Sequence, residues 1–108
     1  MENLRTDVMF LEPKEPQVFS GPFSIAWGSK HHLHVTEWML LVGTEDGNWD
    51  IMSANTGERT RAAIDISDIR PLPRHIYARL RYAVYEEAYG QDRWYITLVP
   101  FEISKKAT

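Results

Sequence analysis

The sequence predicts one α+β domain, in which a twisted antiparallel sheet of five or six strands carries one long helix. Three observations predict this class. Segments of alternating apolar and polar residues recur between residues 18 and 66, turn-forming residues separate them, and helical periodicity begins after Pro73. A chain of 108 residues has the usual length of one domain, so we assign residues 1–108 to a single unit.

The N-terminal residues 1–16 predict an extended arm or a short edge strand. Two prolines in this segment, Pro13 and Pro16, lack the amide hydrogen that a central strand needs. Residues 23–27 then alternate as a strand does, after a turn or bulge at Gly21-Pro22.

A meander of three strands is predicted for the middle of the chain. Residues 31–42 have apolar side chains on both faces, which is typical of a central strand covered on both sides. Asp46-Gly47 predicts a tight turn into a strand at 48–54. A second turn at 55–57 precedes residues 59–66, whose clean alternation predicts the third strand.

The end of this meander, Ile69-Arg70-Pro71-Leu72-Pro73, resembles the close of an SH3-like barrel. The resemblance covers about half of the chain, concerns the fold alone and implies a partly barrelled sheet. It has no specific motif behind it, so it transfers no functional residue.

Residues 73–89 predict the helix. Pro73 suits the first helical turn, and Gly90 suits the residue after the last turn. One helical face would carry the core residues Ile76, Leu80, Ala83 and Val84. A final strand at 94–103, interrupted at Pro100, and a frayed tail at 104–108 complete the predicted fold.

The opposite face of the predicted helix carries a second stripe rich in tyrosine and arginine. A helix packed on one sheet needs only one apolar face, and Tyr and Arg are enriched at binding hot spots. The N-terminal arm would cover this stripe, or the tyrosines would stand in solvent, if it had no partner. The predicted partner-binding residues are Arg74, Ala78, Arg81, Tyr82, Tyr85 and Tyr89.

The composition is that of an ordinary globular protein, with 44% hydrophobic and 25% charged residues. The absence of cysteine excludes disulfides and thiol nucleophiles. The charged first fifteen residues do not resemble a secretory signal, and the apolar run 38–42 is far shorter than a membrane span. The sequence therefore predicts a soluble, cytoplasmic protein.

Nucleic-acid binding is the alternative function that the charge pattern raises. Residues 37–58 carry a net charge of −5 and residues 59–81 a net charge of +4, although the whole chain is at −3. Complementarity within the molecule is the simplest interpretation. The alternative hypothesis is a single-stranded nucleic-acid-binding domain, although the pI of 5.8 weighs against it. Its contact residues would be Arg59, Arg61, Arg74 and Arg81.

A small metal-dependent hydrolase is the third hypothesis. His31, His32 and His34 cluster on one segment, and His32 with His34 would share a strand face as two zinc ligands. A third ligand would have to come from Glu37 or His75. No downstream ligand spacing completes a metal motif, so the sequence predicts no metal site and no cofactor.

No catalytic motif is present either, since the chain lacks Gly-x-Ser-x-Gly, a P-loop and the dinucleotide-binding glycine pattern. The sequence therefore favours a non-catalytic protein-binding module over an enzyme. An inhibitor or adaptor of the kind that phages encode would suit this description. The partner would be another protein or, in a homodimer, a second copy of the chain.

Overall fold

The computed structural model of the chain describes residues 3–5, 8–19, 22–29, 34–66, 68–69 and 71–106. These residues form strands, turns and loops and contain no helix, so the predicted α+β class is wrong. None of the described segments is a helix of the length and apolarity that would cross a membrane. The strands of the described chain are β1 (Asn3–Arg5), β2 (Val8–Glu12), β3 (Phe23–Ser29), β4 (Val35–Gly43), β5 (Met52–Gly57), β6 (Arg61–Ile64), β7 (His75–Glu86), β8 (Gln91–Thr97) and β9 (Phe101–Ser104).

The larger of the two sheets has the order β1-β8-β7-β4-β5, and β9 also pairs with β7. The twelve-residue β7 organises this sheet. One edge of β7 pairs with β4, while its other edge pairs with β9 near the start and with β8 near the end. All these pairs are antiparallel, and β1 is added to β8 in parallel.

The smaller sheet, in the order β2-β3-β6, packs on one face of the larger sheet. The core between them contains Trp27 of β3, Trp38 of β4 and Tyr82 of β7, whose rings contact one another in sequence. Two packed sheets bury a core without any helix. Neither sheet closes into a barrel within the described residues, so the SH3-like expectation also fails.

The predicted helix 73–89 is in fact β7, the turn after it and the residues before it. Ile76, Leu80 and Val84 repeat every four residues, which fits a helix face and equally fits one face of a strand. The buried residues of β7 include Ala78 and Tyr82, which continue the period of two. Gly90 has φ of +63°, and it closes the β7–β8 turn instead of ending a helix.

The predicted meander is right in its first pair of strands and wrong in its third strand. β4 is a central strand between β5 and β7, as its two apolar faces indicated. However, β5 begins only at Met52, because residues 44–51 form a longer loop. β6 pairs with β3 of the smaller sheet and not with β5. The segment 58–60 therefore connects the two sheets.

The described residues near both ends of the chain pair with other segments. β2 is an edge strand of the smaller sheet, and β1 pairs with β8 of the larger one. Pro100 divides the predicted last strand into β8 and β9. In the tail predicted to fray, the amide of Lys106 donates to Gln17 O at 2.7 Å, and Gln17 N donates to Ser104 O at 3.0 Å.

Candidate functional site

The predicted tyrosine stripe is divided between the core and the surface. Tyr82 has no exposed area and packs between the rings of Trp38 and Tyr95, at centroid distances of 5.4 and 6.0 Å. Ala78 is also fully buried. Because these two residues lie in the core, they hold the two sheets together and offer no surface to a partner.

Of the two predicted arginines of the stripe, Arg74 lies far from the exposed tyrosines and Arg81 is half-buried. Arg74 is exposed and precedes β7, eleven residues before Tyr85, which is about 36 Å of extended chain. Arg81 is half-buried and pairs across strands with Met39. The six predicted residues therefore do not form one surface.

The exposed tyrosines belong to a different feature, which we call the hairpin arm and define as residues 85–94. It comprises the end of β7, the four-residue turn and the first half of β8. Within this range no residue is buried, whereas Val84 before it and Tyr95 after it both are. The molecule is elongated, 51 Å along one axis against 24 and 20 Å. The hairpin arm is thus the part of β7 and β8 that lacks a covering layer.

Three large aromatic side chains are exposed on the hairpin arm: Tyr85 (43%), Tyr89 (59%) and Trp94 (43%). In the β7–β8 ladder, Tyr85 pairs with Asp92 and Trp94 pairs with Ala83. This register places Tyr85 and Trp94 diagonally across the two strands, on the same face of the sheet. Trp94 is absent from the partner-binding residues that the sequence predicts. Only the strand register reveals its position.

Polar contacts fix the shape of the hairpin arm. The guanidinium of Arg93 lies 4.7 Å from the ring centroid of Tyr89 and 3.8 Å from a carboxylate oxygen of Glu86. The hydroxyl of Tyr95 donates to the other carboxylate oxygen of Glu86. The amide of Gly90 donates to Glu86 O at 2.9 Å and closes the turn. Arg93 therefore contacts both Tyr89 at the tip and Glu86 at the end of β7.

A second feature of interest is an open, apolar groove between β2 and the β8–β9 turn. Its volume is about 230 Å³. Phe10 and Phe101 stack at its base with their ring centroids 4.6 Å apart, and so join the two sheets. Met9, Leu98 and Val99 are exposed around it, Val99 to 68%. The residues of the apolar groove are Val8, Met9, Phe10, Thr97, Leu98, Val99, Pro100 and Phe101.

Arg79 anchors one rim of the apolar groove. Its guanidinium donates to both carboxylate oxygens of Asp46 at 2.8 Å and to the carbonyls of Thr97 and Leu98 at 2.7 and 3.1 Å. The hydrogen bond from Arg79 holds the pKa of Asp46 below its usual value, and the same bond raises the pKa of Arg79. Arg79 therefore ties the β4–β5 loop to the β8–β9 turn.

The arginines of the nucleic-acid hypothesis lie in separate parts of the molecule. Arg59 and Arg61 are exposed near the β5–β6 connection, and Arg61 pairs with Glu12 at 2.9 Å. Arg74 lies at the start of β7, and Arg81 lies on the outer face of the larger sheet. They do not line one continuous groove.

The histidine cluster can be located only in part. His31 and His32 lie outside the described residues, and His34 is exposed just before β4. Nδ1 of His75, a suggested third ligand, lies 2.7 Å from a carboxylate oxygen of Glu102. Among the residues that the structure describes, no group of three or more His, Cys, Asp or Glu could hold a metal ion.

Comparison of the chain with protein-family models, with curated proteins and with solved structures finds no match.

Proposed function

We propose that this protein is a non-catalytic protein-binding module of the inhibitor or adaptor type, and that the hairpin arm is its contact surface. The observation that carries the proposal is the exposure of Tyr85, Tyr89 and Trp94 on one short, uncovered hairpin. The tyrosine and arginine surface inferred from the sequence is retained in part, since Tyr85 and Tyr89 belong to it.

The physical support is the cost of leaving such side chains in water. Burying an aromatic side chain removes about 150–250 Å² from solvent, so the exposed parts of these three rings leave apolar area in water. Exposed apolar surface marks interaction sites on soluble proteins, and Tyr85 and Trp94 share one face of the hairpin arm. Tyr, Trp and Arg are also the residues enriched at hot spots, and Arg93 lies beside Tyr89.

The charge of the hairpin arm favours a protein partner over a nucleic acid. Glu86, Glu87 and Asp92 face a single basic residue, Arg93, which gives the range 85–94 a net charge of −2. A nucleic acid would be repelled by these carboxylates, since phosphate contacts provide most of its affinity. Exposed aromatic rings would stack with bases only if basic side chains surrounded them.

Site-specific crosslinking in cells that express the protein tests this proposal. Tyr89 is replaced by a photoreactive phenylalanine analogue, and the matched control carries the same analogue at Ala63, which is exposed on β6. We expect protein adducts from position 89 and none from position 63. Adding Trp94→Ser should remove the adducts while the melting temperature is unchanged.

Two outcomes would contradict the proposal. Equal adducts from positions 89 and 63 would mean that the hairpin arm has no special affinity for proteins. Adducts to nucleic acid alone would favour the alternative function, and single-stranded DNA should then bind the purified protein with strong salt dependence.

A further inference from the structure

We propose that the partner of the hairpin arm is a second copy of this chain, and that the arm of one copy docks into the apolar groove of the next. This inference depends on the proposed function, because it names the protein that the hairpin arm binds. It joins two exposed apolar features of the same molecule, each of which lacks a covering layer.

The dimensions of the apolar groove suit a side chain. Small-molecule sites usually have volumes of about 300–1,000 Å³. The apolar groove, at about 230 Å³, is below this range and has room for one aromatic ring. Its lining is apolar except for Thr97, and the stacked rings of Phe10 and Phe101 offer a flat aromatic surface. Tyr89, at the tip of the hairpin arm, is the side chain best placed to enter it.

The charges around the two features are complementary. The hairpin arm has a net charge of −2. Beyond the apolar groove, β9 leads to a basic end formed by Arg74, Lys105 and Lys106, all exposed. The amide of Lys105 donates to Arg74 O at 2.9 Å, which keeps these residues adjacent.

Acidic residues also lie near the basic end. A carboxylate oxygen of Glu102 lies 2.7 Å from Nδ1 of His75. Two residues of the β4–β5 loop, Glu45 and Asp50, line a depression to which Arg74 also contributes. That loop follows β4, which pairs with the edge of β7 opposite to β9. On the β9 side, residues 101–106 carry a net charge of +1.

The two complementary charges cannot meet within one molecule. β7 runs from the basic end to the hairpin arm, and its twelve residues extend over about 40 Å. A second copy arranged head to tail brings the acidic arm to the basic end. A two-fold arrangement of arm against arm would instead oppose like charges. In the arrangement that we propose, the arm of each copy enters the groove of the next, and such a heterologous interface leads to rings or filaments.

Complementation between two defective variants tests this arrangement. The arm variant carries Tyr89→Ser and Trp94→Ser, and the groove variant carries Val99→Asp. Ala63→Asp, which adds the same charge at an exposed position of β6, is the matched control. All are compared with the wild-type protein by analytical ultracentrifugation over a wide range of concentration, after circular dichroism has verified that they fold. Leu98→Ser replaces Val99→Asp if the latter does not fold.

We expect the wild-type protein and the Ala63→Asp control to form oligomers that grow with concentration and weaken as salt rises. Each defective variant should raise the dissociation constant by about thirtyfold or more, as truncation of a hot spot does. An equal mixture of the two variants should form a dimer and nothing larger. The arm variant keeps an intact apolar groove and the groove variant keeps an intact hairpin arm, so a single interface can form between the two.

Three results would overturn the proposal: a wild-type protein that stays monomeric, oligomers that neither variant weakens, or variants that fail to complement each other. The crosslinking at position 89 then separates the two claims. Adducts to a foreign protein would keep the proposed function while the second copy is rejected, whereas a lack of adducts would reject both.

Discussion

The two halves of the β7–β8 hairpin have the same backbone conformation and opposite surroundings. In the first half, β7 is covered by the smaller sheet and its inward side chains, such as Leu80 and Tyr82, have no exposed area. In the hairpin arm the ladder continues, with Tyr85 paired to Asp92, but the covering sheet is absent. Aromatic residues occur in both halves. The same residue type therefore stabilises the fold in one half and is available for binding in the other.

The face that a side chain takes, and whether that face is covered, decides its role in this hairpin more than the residue type does. Tyr82 and Tyr85 are three residues apart and differ in exposure from 0% to 43%. They also lie on opposite faces of the sheet, because three is an odd number of strand positions. Substitutions in the two halves should have correspondingly different effects.

The largest expected difference is between Tyr82→Ser and Tyr85→Ser. Tyr82→Ser leaves a cavity between Trp38 and Tyr95 and should lower the free energy of unfolding by about 3–5 kcal/mol. Tyr85→Ser should change it by less than about 0.5 kcal/mol. Urea denaturation followed by tryptophan fluorescence measures both. Equal losses would mean that Tyr85 is packed, and the comparison would fail.

Two glycines provide the second test: Gly43, which pairs with Tyr77 in the first half of the hairpin, and Gly90, in the turn of the hairpin arm. A Cβ on Gly43 would lie 1.8 Å from Asn48 O, so Gly43→Ala must displace the backbone of the β4–β5 loop. We expect a loss of about 1–3 kcal/mol in the free energy of unfolding. Gly90 has open space around it but a φ of +63°, so Gly90→Ala should cost about 1 kcal/mol. A larger loss at Gly90 would show that the arm turn is tightly packed.

The third test uses pH. Because Arg79 holds the pKa of Asp46 below its usual value, the ionised carboxylate stabilises the folded state above the pKa of the unfolded chain. This stabilisation is lost as pH falls through the lowered pKa. Asp46→Asn should therefore cost about 1 kcal/mol at neutral pH, with Asp46 partly exposed, and much less in acid.

Glu87→Gln, in the hairpin arm, is the matched control for the pH test. Glu87 is exposed, and we expect this change to have little effect on unfolding at neutral pH. A cost of Asp46→Asn that did not depend on pH would mean that the charge of Asp46 is unimportant. The measurement is thermal melting of the three proteins at neutral and acid pH.

The smallest expected effect is in local opening. Amide hydrogen exchange measured by NMR should show strong protection for residues 78–84, whose strand pairs on both edges. Residues 87–90 of the arm turn should exchange with an opening free energy near zero. Protection of the turn at high protein concentration, and not at low, would instead locate the self-association at the hairpin arm.

The sequence predicted the strands better than it predicted their partners. The two apolar faces of β4 identified a central strand, because such a strand needs apolar residues on both sides. The pairing of β6 with β3 joins residues about forty apart, and no local pattern records it. β7 was assigned as a helix because the spacing of Ile76, Leu80 and Val84 fits both the helical period and the strand period. The helix-favouring Ala, Leu and Arg residues of β7 did not decide between a helix and a strand.

The candidate site was predicted in part for the same reason. Tyr85 and Tyr89 are exposed, as a partner-binding surface requires, although a helical face was the wrong basis for choosing them. Ala78 and Tyr82 were added to them only because a helix would have placed all four together. Trp94 could not be selected, since its exposure depends on the strand register, which pairs it with Ala83 on the face turned away from Tyr82.

The anchoring of Arg79 has a consequence for how the apolar groove would meet any partner. The backbone carbonyls of Thr97 and Leu98, which form one wall, are held by the same guanidinium that binds Asp46. That wall is consequently rigid before contact, and a ligand that enters would not have to order it. A ligand binds more tightly to such a preorganised groove mainly because less conformational entropy is lost on binding.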